Sequence, residues 1–386
     1  MINNKEAEIS IIGGGIAGLA AAIGFKKAGI KVSVFESAKE CKPVGAGLML
    51  AINAIKALDS IGVMNGVCAA AKPIQSLQIL TKKGHELSKS ESSPVVGKNG
   101  SVYKNHAIHR ADLHKVLLNE LSNNTVKWGK KLSLVQRVGN SYKMHFEDGT
   151  TATSKFIISA EGIHSKIREF VNPNSKKRYA GYTCWRGIAK NMGASLNSTS
   201  ETWGNCGRFG IVPLTNNRVY WFAVVNAQQN SPIMRQWTLN DLKANFRDYH
   251  SRVLDVLGNT NEKDMLWNDI IDLKPIKQYA FNNILLIGDS AHATTPNMGQ
   301  GACMAIEDAA TLYKCLITND SYYDAFKAFE QKRLARTHQI VNSSWRIGKM
   351  AQNQNPILGM LRNSLTKLTP NTIMQKQMEH LYNVEF

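Results

Sequence analysis

Residues 8–12, EISII, are mostly apolar after the opening glutamate and stop at a run of glycines, Gly13 to Gly15. A short apolar run of this kind reads as a strand covered on both faces, as in a parallel sheet. The next stretch, AGLAAAIGFKKAG, continues as a helix that ends near Gly29, and KVSVFE reads as a second strand closing on Glu36. A related pattern returns late in the chain. In NNILLIGDSAH the run ILLI is apolar throughout, with Asp289 at its carboxyl end; Ile306, Ala309, Ala310 and Tyr313 then recur at helical spacing. Between these regions the period is two. SLQILTKKGHELSKS reads as a hairpin around Gly84, and residues 177–279 carry alternating strands such as RFGIVPL and RVYWFAVV. From Tyr322 onward the pattern is helical, with AFKAFEQKRLARTHQIV amphipathic.

The first unit has a chemistry. Gly13, Gly15 and Gly18 form GxGxxG: the first makes the turn, the second lets backbone N–H groups approach a pyrophosphate, and the third allows the helix to pack closely on the strand. Glu36, 18 residues beyond Gly18, stands where a carboxylate can accept hydrogen bonds from both hydroxyls of an adenosine ribose. The unit is therefore expected to hold a dinucleotide. A nicotinamide cofactor bound there would leave the later segment, Ile287 to Ala310, without a purpose, whereas a flavin would not. Asp289 would bond the ribityl hydroxyls. Pro296 stiffens the loop, Gly299 and Gly301 leave room for a flat ring against bare backbone, and the helix end beyond them faces the ring edge where negative charge collects on reduction. Gln300, Ala302 and Cys303 belong to the same contact. FAD is the expected cofactor.

Composition changes little. The 386 residues are 43% hydrophobic and 20% charged, which suits a folded chain with a sizeable core. A net charge of +18 raises the question of nucleic acid, but Lys and Arg are spread without a basic tract, so neither nucleic acid nor a membrane is an expected partner. A small-molecule substrate is, with the chain a monomer or homodimer. The six cysteines, Cys41, Cys68, Cys184, Cys206, Cys303 and Cys315, show neither a CxxC pair nor metal-ligand spacing, which points to a reducing cytoplasm and no metal site. Ile9 to Phe25 has nearly the length of a membrane span, but Glu6 and Glu8 precede it and glycines interrupt it. GDS, with Ser290 and a following His292, suggests a serine esterase. The block stands late in the chain and lacks the second glycine of a GxSxG elbow, which disfavours that reading.

With GxGxxG, Glu36 and the GD segment in hand, the chain resembles the single-component FAD-dependent aromatic hydroxylases of the p-hydroxybenzoate hydroxylase fold. SAEGIHSKIR, Ser159 to Arg168, is similar to the family's ADGxxSxxR segment, with Glu161 in place of the usual Asp. HRADLHKVL supplies Arg110 opening a helix beside the flavin, and GKKL offers Leu132 as a backbone contact to adenine. The resemblance covers roughly residues 6–340. It implies an α/β fold with a Rossmann-type FAD-binding domain (1–75, 102–176 and 280–340), a mixed β-sheet substrate domain (76–101 and 177–279) and a C-terminal helical segment (341–386) lying against the flavin domain or a partner subunit. It implies NADH or NADPH as a transient co-substrate, since no second GxGxxG is present, and oxygen transfer through a flavin C4a-hydroperoxide. The WxWxIP segment of related halogenases is absent.

On the substrate side, KRYAGYTCWRG, Lys177 to Gly187, resembles a YxGYxxW segment shared by urate hydroxylases, salicylate hydroxylase-like enzymes and zeaxanthin epoxidases. Arg208 and Tyr220 match the substrate-binding pair of the FAD-dependent urate hydroxylases. A guanidinium can clamp an anionic carbonyl and ring nitrogen, and a phenol can orient the ring, so both are candidate catalytic residues and urate the leading substrate. The residues themselves leave a plainer alternative open, with Arg208 a strand surface residue and Tyr220 part of the core. Salicylate, hydroxybenzoate and tetracycline hydroxylases remain alternatives, as does an FAD-containing scaffold or redox sensor without turnover.

Overall fold

A computed structural model describes residues 8–41, 45–190, 196–370, 376, 378–379 and 381–386. The apolar run becomes the strand Ile9–Ile12, buried at every position, and the helix Ile16–Lys27 and strand Ser33–Phe35 follow it. These belong to a six-stranded sheet in which Val126–Lys127, Ser33–Phe35, Ile9–Ile12, Phe156–Ser159 and Ile284–Leu286 run parallel, while Ala280–Phe281 closes the edge antiparallel. Strands from three distant parts of the chain thus share one sheet. The GD segment lands beside the GxGxxG turn because Phe156–Ser159 pairs with both Ile9–Ile12 and Ile284–Leu286.

The second sheet has seven strands in the order Leu266–Leu273, Lys177–Lys190, Arg218–Asn226, Gly207–Pro213, Ser198–Gly204, Ser76–Thr81 and Glu86–Glu91. It is antiparallel except where Ser198–Gly204 meets Ser76–Thr81. The hairpin around Gly84 is present, with Gly84 at φ +85°. Alternation gives this sheet two unlike faces. Trp185, Phe209, Ile211 and Trp221 pack against Leu242, Phe246 and Val253 of two short helices, while the intervening residues look toward the first sheet.

The C-terminal part departs from expectation in two ways. A single helix, Tyr322–Ala351, runs through the expected division at residue 340, because its buried positions recur from Tyr322 to Ala351 without a break. The next helix, Pro356–Leu368, packs on the strand Glu86–Glu91 of the second sheet rather than on the cofactor domain. Met378, Leu381, Tyr382 and Phe386 return to that domain, Leu381 beside Met304 and Ile340.

Candidate active site

Steric demands set the first turn. Gly13 has φ +103° and a Cβ there would stand 2.3 Å from the Ala160 carbonyl oxygen, while one at Gly18 would stand 1.9 Å from that of Gly13. At Gly15 the Cβ position is open, and the helix it caps has no side-chain cap, so its first N–H groups are free for an anion. Glu36 accepts from the backbone N–H of Gly14 at 2.6 Å and of Ala38 at 2.7 Å, which holds its carboxylate at the rim of the turn. Lys130 N–H donates to the Glu36 carbonyl at 2.7 Å, while Leu132, two residues on, is buried in the core.

Asp289 follows Gly288 (φ +56°) and opens into a cavity of about 630 Å³ that is also lined by Gly15, Arg110, Pro296, Gly299, Gly301 and Ala302. The carboxyl has no hydrogen-bond partner among the described residues. The surrounding protein pushes it above the ordinary carboxylate range, with His292 and Arg110 pulling the other way. Arg110 begins the helix Arg110–Asn119, as expected. The helix Gly301–Thr318 also lacks a side-chain cap and turns its amino end to this cavity. Two of the expected contact residues look elsewhere. Gln300 Oε1 accepts from Asn53 Nδ2 at 2.9 Å, and Cys303 Sγ lies 3.5 Å from both Met49 O and Ala51 N, its thiol pushed up to about 12 by burial. Only their backbones are left for a ligand. An open glycine turn, two uncapped helix ends and a free carboxyl along one cavity fit FAD.

The second helix end is held by buried charge. Asp308 accepts from Gly288 N at 2.8 Å, His292 Nε2 at 2.7 Å and Arg333 Nε at 2.7 Å. Glu307 accepts from Arg333, from Nε and Nη2 of Arg336 and from Asn53. Burial alone would raise both carboxyls, but His292 and Arg333 at Asp308, and Arg333 and Arg336 at Glu307, outweigh it and hold both below their ordinary values. His292 is thus tied to Asp308. Ser290, fully buried, is hydrogen-bonded to Gly162 N, which removes the esterase reading. Glu161, longer than the usual Asp, accepts from Ser159 and Ser165 hydroxyls at 3.0 and 2.7 Å and from Ile167 N at 3.1 Å, capping the helix Lys166–Val171.

The opposite wall comes from the second sheet. Arg208 pairs with Val224 and Val212 with Tyr220, so Arg208 and Tyr220 share the cavity face. Their states differ. Arg208 is buried and donates to Glu201 at 2.8 Å, Asn297 at 2.9 Å and Gln352 at 3.0 Å, with its guanidinium over the Tyr182 ring. The Tyr220 hydroxyl has no partner among the described residues, and its ring lies across Gly47, where a Cβ would come within 2.5 Å. Burial pushes its phenol further above the ordinary value. Sequence reading missed Arg186, which lines the cavity, bonds Asn268 and makes no ion pair among the described residues. Its place in the YxGYxxW segment was the available signal. Nothing local announces Glu201, Asn297 or Gln352, which lie 7, 89 and 144 residues from Arg208.

Such a fold and site define a flavin-dependent oxidoreductase with a substrate cavity beside the cofactor cradle. Residues 6–344 match the family model described as FAD binding domain, and the chain belongs to that family. It is 32% identical to the aurachin C monooxygenase/isomerase of Stigmatella aurantiaca, over 93% of this chain and 94% of that protein. It is 30% identical to the 2-heptyl-3-hydroxy-4(1H)-quinolone synthase of Pseudomonas aeruginosa, over 97% of each. Among solved structures it resembles Klebsiella pneumoniae HpxO complexed with FAD and uric acid, with a TM-score of 0.86 and 24% identity over 96% of this chain and 95% of that one. The chain is an FAD-dependent monooxygenase, in a family for which NADH or NADPH is the typical reductant.

Proposed function

We propose that this monooxygenase hydroxylates a flat bicyclic heteroaromatic with one acidic or hydroxylated edge and an apolar body, of the quinolone or hydroxyquinoline kind. The carrying observation is that the substrate wall offers one free hydroxyl, Tyr220, and one cation without an acid partner, Arg186, among the apolar Cys184, Val212, Phe222, Val224, Leu266 and Ile270, while the remaining polar wall residues Glu201, Arg208, Asn268 and Asp269 are already hydrogen-bonded within the protein. Urate carries polar atoms on every edge, and those facing the apolar wall would lose their hydrogen bonds. The two quinolone-type relatives support the same reading. Bound FAD supplies the two-electron reduction and the activation of O2. Tyr220, still a phenol at neutral pH, would donate to the oxygen on the substrate's polar edge. Arg186 would stabilise negative charge there, making the neighbouring ring carbon more nucleophilic. The apolar wall would keep water from the reacting carbon.

A basic cleft beside this cavity, lined by His164, Lys177, Arg178 and Arg235 and sharing Asn268 and Asp269 with it, supports transient entry of the NAD(P)H phosphates. Urate is the second reading, favoured by the shared face of Arg208 and Tyr220. The test is NAD(P)H oxidation with product and H2O2 followed together, using a 2-alkyl-4-quinolone, 4-hydroxyquinoline, salicylate and urate. Quinolone-stimulated oxidation with little H2O2 is expected. Tight coupling with urate and none with the quinolones would transfer the assignment to urate, and no response to any of the four would reject both readings.

A further inference from the structure

The helix Pro356–Leu368 is built inside out. Gly359, Arg362, Asn363 and Thr366, spaced as one helical stripe, are its buried and half-buried positions. Arg362 seals that side, donating to the Ala351 carbonyl at 2.7 Å with its guanidinium 4.7 Å from the Trp203 ring centre. The outer side carries Ile357, Leu358, Met360, Leu361, Leu365 and Leu368, which are 48–78% exposed. A surface helix of a self-contained domain does the reverse. A continuous apolar stripe of this size marks an interaction surface.

Charge says what covers it. From residue 331 to residue 378 the chain contains no Asp or Glu and eight Lys or Arg, of which Lys332, Arg346, Lys349, Lys367 and Lys376 are exposed. The acids nearby, Glu86 and Glu91, belong to the neighbouring strand, where Glu91 is paired with Lys89, and not to the helix. A second copy of the chain would set this basic segment against itself across a two-fold axis. An anionic lipid surface complements both properties at once, the leucines entering the headgroup boundary and the cations facing lipid phosphates. The helix has 13 residues, short of the roughly 20 needed to span, and no helix among the described residues is long and apolar enough to cross a membrane.

We propose that the outer face of Pro356–Leu368 docks the enzyme on an anionic lipid bilayer, lying in its interface. The inference does not depend on the substrate, and its test reads binding rather than turnover. Full-length FAD-loaded protein is floated with vesicles of phosphatidylcholine alone or of an equal mixture with phosphatidylglycerol, at low and high salt. Recovery with the anionic vesicles is expected to exceed that with phosphatidylcholine by about tenfold and to fall at high salt. The double substitution Leu361→Ser and Leu365→Ser should abolish flotation while FAD absorbance and NAD(P)H oxidation in solution stay unchanged; Lys367→Glu should weaken it only for anionic vesicles. Wild-type protein that fails to float with either vesicle, or a double variant that floats as well as wild type, would overturn the proposal. A wild-type dimer that ignores vesicles and dissociates in the double variant would overturn it too, giving the face to a second copy.

Discussion

The two helix ends that face the cofactor are positioned by opposite means. Ile16–Lys27 is apolar and buried along nearly its whole length, and glycines let it sit against the first strand at backbone distance. Gly301–Thr318 is anchored instead by Glu307 and Asp308, whose fully buried carboxylates are clamped by Arg333, Arg336 and His292. The first arrangement relies on missing atoms, with the Glu36 carboxylate only at its rim. The second relies on charge balance, so it can be broken by removing one charge or one proton acceptor. The same cofactor is held by one end set by sterics and one set by charge balance.

Asp308→Ala should have the largest effect. It leaves His292, Gly288 N and part of Arg333 without their acceptor, and breaking a buried pair from one side costs about 3–5 kcal/mol. Thermal unfolding and FAD retention measure it; a variant as stable as wild type would mean that the clamp is dispensable. Gly18→Ala comes next at about 3 kcal/mol, because the added Cβ would meet backbone rather than a movable side chain. Its signature is loss of bound flavin without any change in acid sensitivity, which separates the two ends.

Acid should act on cofactor binding chiefly through the clamp. Asp308 and Glu307 have depressed values when folded, so their contribution is fully present above the unfolded carboxylate range, near pH 4, and is lost as pH falls through their folded values. Flavin release and unfolding are therefore expected below about pH 4. Denaturation followed by flavin fluorescence checks this, and in an Asp308→Asn variant the acid-dependent component should shrink. On the opposite wall, Tyr220→Phe should keep FAD and stability but lower kcat/KM by about 5–30-fold, with more H2O2 released, since it would remove the hydrogen bond proposed between its hydroxyl and the substrate. Glu161→Asp is the smallest change. Pulling the carboxylate back from Ser165 and Ile167 should cost about 0.5–1 kcal/mol, read as a small drop in melting temperature.

Legibility followed the range of the forces involved. The glycine turn, its flanking strands and the GD loop were readable because steric requirements there involve neighbours in the chain. The alternation of RFGIVPL and RVYWFAVV put Arg208 and Tyr220 on one face, which the register Val212 with Tyr220 requires. That alternation carried no hint that Arg208 would be claimed by Glu201, Asn297 and Gln352, since those partners arrive from another strand, a loop and the end of a long helix. Arg186 was passed over for the same reason, its lack of an acid partner being a property of its surroundings. The helix Pro356–Leu368 reads from its own apolar spacing as an ordinary packed helix. Which side packs was decided by Arg362 reaching Ala351 and Trp203.

By itself, the order of residues determined the Rossmann turn, the carboxylate after the second strand, the flavin-facing loop and the class of chemistry. Each rests on local backbone geometry or on residue types at short spacing. The tertiary structure decided which cations stay free to meet a substrate, which carboxylates are clamped and which face of the last helix is bare. These depend on charges and rings brought together across tens to hundreds of residues, where Coulomb pairing and burial exist only after the chain has closed on itself.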